Sequence, residues 1–154
     1  MKTSIKLAVL TLSLGIATSA GAATTATIPV TANVVGDCSI TATGLSFGAY
    51  DRTSGNTGNA SVTANCTLDL PAAIALNDGL NVGRNMSNGS STLAYTLHKD
   101  AGFTQTWGVD ADALSIVGTG DDDTRTIYGQ IAPGQNVSKG SYTDTITATI
   151  TFAP

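Results

Sequence analysis

An all-β sandwich is the fold class predicted by this chain of 154 residues. Apolar residues fall on every second position near both ends, in 26–34 and in 146–152, which is the period of a strand with one buried face. There is no Glu, and all eleven acidic residues are Asp. Glu favours helices, whereas Asp favours turns. Thr is abundant, Gly numbers 17, and no stretch of ten or more residues keeps a helical period.

The chain opens with a targeting signal. Lys2 and Lys6 give a positive start, residues 7–16 form a short apolar run, and Ala20-Gly21-Ala22 offers the small residues of a cleavage site. The run is too short to span a bilayer. Residues 1–22 are therefore read as a signal peptide, and cleavage after Ala22 leaves 132 residues, enough for one domain with one core. No second long apolar run follows, so no membrane insertion of the mature chain is expected.

The first predicted strand is 26–35. Ala26, Ile28, Val30, Ala32 and Val34 lie on one face, and Thr27, Pro29, Thr31 and Asn33 on the other. Pro29 has no N–H for a ladder, so it marks a bulge or the limit of the paired part. The segment precedes Cys38 and lies outside any loop closed by the two cysteines. A strand at a free N-terminus pairs either within its own domain or with another copy. Further strands are predicted at 38–47, 58–67, 71–77, 91–98, 103–107, 113–118, 124–131 and 141–152, separated by turn-rich segments such as 51–56 and 77–79. Asn88-Gly89 is a tight-hairpin dipeptide, because both residues tolerate positive φ. In the last strand Tyr142, Ile146, Ala148, Ile150 and Phe152 share one face, and the other is almost entirely Thr.

Two cysteines behind a secretion signal are read as a disulfide, Cys38 with Cys66, with two free thiols as the alternative. It would close a loop of about 29 residues and contribute roughly 3–4 kcal/mol. Removing Lys2 and Lys6 leaves five basic residues against eleven acidic ones, a net charge near −6. That balance argues against nucleic acid or anionic membranes as partners. Metal-ligating residues are sparse: His98 is the one histidine, and Asp110, Asp112 and Asp121 to Asp123 read as solvated turns, lacking a full calcium loop. No Gly-x-Ser-x-Gly elbow occurs and His98 has no evident nucleophile partner, so no catalytic residue, metal or cofactor is assigned. Phe47, Tyr50, Tyr95 and Trp107 are read as core residues in preference to a ligand platform.

A series of motifs then runs in order along the chain. After Cys38 come Leu45-Ser46-Phe47-Gly48-Ala49-Tyr50-Asp51, Val62-Thr63-Ala64-Asn65-Cys66-Thr67, Leu76-Asn77-Asp78-Gly79, Arg84-Asn85-Met86 and Leu93-Ala94-Tyr95-Thr96-Leu97. Trp107-Gly108, Tyr128-Gly129-Gln130-Ile131 and Gly140-Ser141-Tyr142-Thr143-Asp144-Thr145-Ile146 close it. Together they resemble the spore coat protein U domain family, which includes subunits of archaic, Csu-type chaperone–usher pili.

The resemblance implies an incomplete immunoglobulin-like sandwich, completed by a donor strand from another subunit. It divides the chain into the signal at 1–22, a donor segment at 23–36 and a pilin domain at 37–154. The donor face would be Ala26, Ile28, Val30, Ala32 and Val34. The acceptor groove would be walled partly by Ile146, Ala148, Ile150 and Phe152. Full burial of Ile28, Val30 and Val34 would contribute on the order of 1.5–3 kcal/mol each. The implied partners are a second copy in a linear homopolymer, a periplasmic chaperone and an outer-membrane usher. The implied role is that of a non-enzymatic subunit of a surface pilus used in adhesion and biofilm formation. The rival reading is a secreted monomeric β-sandwich that completes itself and binds a sugar or a surface protein.

Overall fold

The computed structural model describes residues 21–153. The signal peptide read at 1–22 lies, but for its last two residues, outside them. Nine strands occur among the described residues: β1 (Cys38–Ala42), β2 (Asn56–Cys66), β3 (Pro71–Leu76), β4 (Asn85–Ser87), β5 (Thr92–Ala94), β6 (Thr96–His98), β7 (Leu114–Val117), β8 (Asp122–Ile131) and β9 (Ala148–Phe152). One 3₁₀ turn, Asp110–Asp112, precedes β7. The chain divides into two units at the Ala32–Asn33 boundary, and the strands all belong to the second.

Three sheets form, and every pairing is antiparallel. One has the order β1-β2-β8-β6, one the order β7-β3-β9, and β4 with β5 makes a hairpin. The inward residues of the two larger sheets meet in one core. Val62, Ile74, Leu76, Leu97, Trp107 and Ile131 are almost fully buried there. Trp107 satisfies its indole N–H by donating to Ile74 O at 2.9 Å, as a buried Trp must. Tyr95 is also buried, and Phe47 packs on it with ring centroids 5.9 Å apart. Tyr50 is half-buried; its Oη donates to Ala132 O and accepts from Gln135 N.

Cys38 and Cys66 face each other across β1 and β2 and are disulfide-bonded, with Cα atoms 4.1 Å apart. Two glycines shape the same sheet. Gly58 of β2 stands opposite Gly129 of β8, and residues 45–47 cross over them. A Cβ at Gly129 would come within 2.8 Å of the Leu45 and Phe47 side chains, and one at Gly58 would strike the Ser46 carbonyl. Glycine inside a strand marks such a close approach.

Several boundaries differ from those predicted. Residues 26–35 carry no strand, and Ile28, Val30 and Val34 are exposed. Alternation specifies which face a strand buries, but a ladder needs a partner edge. The predicted strand 91–98 breaks at Tyr95, so that β5 pairs with β4 while β6 joins the four-stranded sheet at β8. Residues 103–107 form a turn with one isolated bridge, Thr106 to His98, because Phe103 takes a positive φ and the Asp100 carboxylate accepts from the Thr104 and Gln105 amides. Strand β4 was not anticipated. Asn88-Gly89 lies in a four-residue connection in place of a two-residue turn, and Asn88 Oδ1 accepts from the amides of Ser90 and Ser91.

Candidate functional site

The edge strands β1 and β9 define the site. β1 pairs only with β2, and β9 only with β3. Each therefore has a free edge among the described residues. Between the end of β1 with the residues after it, 42–47, and the run 142–148 that leads into β9 lies a cavity of about 390 Å³. Its apolar lining comes from both sides: Ala42, Leu45, Phe47, Ala60, Leu97 and Ile127 from the four-stranded side, Leu76, Ile146 and Ala148 from the other, with Met86 of β4 and Tyr95 after β5.

Backbone alternation shows which groups the free edges present. In the run leading into β9, Thr143 exchanges bonds with Ser87 at 2.9 and 3.1 Å, Thr145 O accepts from Leu80 N at 3.2 Å, and Thr147 O accepts from Asn77 N at 3.1 Å. The odd-numbered residues thus use their main-chain groups on the β3 side. Successive residues of a strand point these groups to opposite edges. Tyr142, Asp144, Ile146, Ala148, Ile150 and Phe152 therefore turn theirs toward the free edge, while their side chains face inward and stay half-buried. The same holds for β1. Thr67 N donates to Asp37 O and Thr43 N to Ser61 O, which leaves Cys38, Ile40 and Ala42 facing out of the ladder. Two rows of unpaired backbone groups flank an apolar floor, a feature that soluble domains avoid.

Of the predicted acceptor residues, Ile146 and Ala148 line the cavity, and Ile150 and Phe152 continue the same half-buried face along β9. The opposite wall was not predicted. Leu45 and Phe47 sit just beyond β1, where the Gly58 and Gly129 pair lets them lie down on the sheet. No local sequence signal marks that wall, because Gly58 and Gly129 become neighbours only through the β2–β8 register.

The second unanticipated member is Asp144, which breaks the apolar series of the last strand. Its carboxylate stands at one end of the cavity. Oδ1 accepts from the amides of Leu80 at 3.0 Å, Asn81 at 3.2 Å and Thr145 at 2.8 Å, and Oδ2 accepts from Tyr95 Oη at 2.7 Å. Burial pushes the carboxyl's pKa up. The Tyr95 hydroxyl and the three amides outweigh it and hold the group below its ordinary value of 3.8. Tyr95 moves the other way: burial first, then its bond to Asp144, raise it above its ordinary 10.0. Close by, the buried Arg84 guanidinium donates to Leu76 O at 3.0 Å and Asn77 O at 3.3 Å. Burial lowers its pKa, and the nearby Tyr95, Asp78 and Asp112 work against that shift.

The other polar candidates lie elsewhere. His98 is buried on β6, with Nε2 2.9 Å from Thr96 Oγ1. Asp123 pairs with Arg125 at 2.7 Å, and Asp122 accepts from Asn65 Nδ2. Among the described residues no group of three or more His, Cys, Asp or Glu side chains converges as a metal site would require, and no helix is long and apolar enough to cross a membrane.

The family model for the Spore Coat Protein U domain matches residues 24–149. The chain belongs to that family. It is 36% identical to Protein U of Myxococcus xanthus, over 85% of this chain and 86% of that protein. Among solved structures it is similar to one chain of the CsuC–CsuE chaperone–tip adhesion subunit pre-assembly complex from the archaic chaperone–usher Csu pili of Acinetobacter baumannii. The TM-score is 0.58 at 22% identity, covering 76% of this chain. It spans about two fifths, 40%, of that longer chain. The likeness carries the fold, an immunoglobulin-like β-sandwich, and the spore coat U domain of this family has here an open edge between β1 and β9.

Proposed function

We propose that this spore coat U domain protein is a structural, non-enzymatic subunit of a chaperone–usher surface pilus, and that it polymerises by donor-strand exchange. The observation that carries the reading is the pair of free edges, β1 and β9, over an apolar cavity. A strand of alternating pattern satisfies both features at once. Its apolar face covers the floor, and its backbone pairs with the exposed groups of each edge, which is the β-strand addition known for chaperone–pilin complexes. Residues 26–34 have that pattern, are in no strand, and expose Ile28 at 83% and Val30 at 89%. Supplied by one copy to the next, such a contact is heterologous and does not close, so it grows a filament. A periplasmic chaperone would hold the edge before assembly and an outer-membrane usher would exchange it. The chaperone–subunit complex named for the similar Csu structure supports this order. Attachment and biofilm formation are the roles this assembly would serve.

The test is subunit linkage in assembled material. Deleting Thr24 to Val34 should leave the sandwich able to bind chaperone and to accept a strand. It should abolish donation, so the heat-sensitive ladder of multimers on a gel disappears. Val30→Asp should do nearly the same, because an unpaired charge in an apolar groove is strongly disfavoured. Thr31→Asp, on the opposite face, should be milder. Wild-type ladders from both the deletion and Val30→Asp would sink the reading and favour the monomeric module.

A further inference from the structure

We infer that the loop carrying Leu80 and Val82 is a second, non-strand contact between consecutive copies of this chain, seated against Val35 and Leu68 of the copy that donates its strand. The inference rests on the donor-strand reading above and adds to it a contact between the folded bodies.

Every pairing in this fold is antiparallel, so a strand completing the sheet beside β9 runs opposite to it. Its C-terminal end, Val34, then emerges beside residues 142–146. The next folded body begins almost at once. Asp37 is already tied to Thr67 through both the Asp37 amide and its carbonyl. Three residue steps lead from Val34 to Asp37, a reach of about 10 Å when extended. The donating copy is therefore held against whatever the accepting copy presents at that end.

What it presents is apolar and fixed in place. Leu80 N donates to both Thr145 O and Asp144 Oδ1, so this loop belongs to that end of the groove. Asn85 Nδ2 donates to Val82 O at 2.8 Å, and Arg84 N donates to Asp78 O at 2.9 Å, so the loop is pinned from within. Yet Leu80 is 79% exposed and Val82 86%. On the donating body, Val35 and Leu68 flank the Asp37–Thr67 tie and are each 63% exposed. Two aliphatic pairs make a contact too small to hold free copies together. Tethered by a seated strand, they act at high effective concentration, and no larger area is needed. The exposed aliphatics on a rigid loop then have an occupant.

The native cysteines are bonded to each other, with no free cysteine among the described residues, so introduced ones report cleanly. The full-length subunit, coexpressed with chaperone and usher, carries Leu80→Cys or Val82→Cys combined with Val35→Cys or Leu68→Cys, in four double variants. In at least one, oxidised filaments should give a multimer ladder that survives boiling without reductant and collapses with it. A ladder that stays heat-sensitive in all four variants overturns the body contact and leaves the donor-strand reading standing. Absence of any ladder, even before boiling and in the wild type, overturns both. A second readout is filament stiffness. Leu80→Ser with Val82→Ser should keep the wild-type heat-sensitive ladder but shorten the persistence length in micrographs, and an unchanged persistence length counts against the contact.

Discussion

Asp144 sits where periodicity alone would place a sixth apolar residue, and four hydrogen bonds explain why a carboxylate is tolerated there. It fastens three separate stretches, the 79–81 loop, Tyr95 and its own strand, to one end of the groove. Replacing it by Ala removes bonds to a charged acceptor and should cost about 1.5–3 kcal/mol. The pH dependence is specific. Its folded-state pKa is depressed, so its contribution is complete above the ordinary value of 3.8 and is lost as pH falls through the lower folded value. Denaturant titrations should therefore show the gap between wild type and Asp144→Asn narrowing below pH 3.8. Tyr95 gives the opposite arm. Its pKa is raised, so its contribution is complete below 10.0 and declines as pH climbs from there toward the folded value. Tyr95→Phe should flatten that alkaline decline. A gap between wild type and Asp144→Asn that stays constant from pH 6 to pH 2.5 would mean the carboxylate is not acting as described.

The elements of the site are set by what lies across them more than by their own propensities. β2 and β8 form the longest paired stretch among the described residues, and near one end of it Gly58 and Gly129 give up side chains so that residues 45–47 can cross. Gly129→Val would force Leu45 and Phe47 off the sheet and into the cavity. Overpacking of this kind typically costs about 1–3 kcal/mol. The further expectation is functional. A synthetic peptide of residues 24–35 should stabilise the donor-deleted subunit in a thermal melt, and the Gly129→Val form of that subunit should gain much less. Equal stabilisation of the two would show that the wall at 45–47 does not shape the groove. At β9 the logic is simpler. The Thr face and the apolar face separate cleanly, and the edge opposite β3 is left unpaired among the described residues.

At the scale of the molecule, two sheets share one core and one disulfide ties β1, a free-edge strand, to β2. That placement makes the bridge a support for the groove wall as well as a restraint on the unfolded chain. Cys38→Ser with Cys66→Ser should lower stability by roughly 3–4 kcal/mol, a large share of a small domain's margin. Under the proposed function it should also reduce recovery of a subunit–chaperone complex from the periplasm. A double variant recovered at wild-type yield, with an unchanged unfolding midpoint, would show that the bridge holds nothing the ladder does not already hold.

Much of this was legible in the chain itself. The absence of Glu, the two-residue period at both ends and the spacing of turn residues are local properties, and they determined an all-β class and most of the strands. The cysteine pair followed from its context, and the inward face of the last strand from alternation. Other features depend on partners distant in sequence. Whether 26–35 becomes a strand depends on an edge to pair with, and no local pattern supplies one. Tyr95 splits 91–98 between two sheets because β4 captures one half and β8 the other. Asp144 reads as a lapse in a hydrophobic series until the amides of Leu80 and Asn81, more than sixty residues upstream, are seen to converge on it. The open edge itself is a property of topology. It exists because β1 closes one sheet and β9 the other, and only the folded chain brings those two margins to the same cavity.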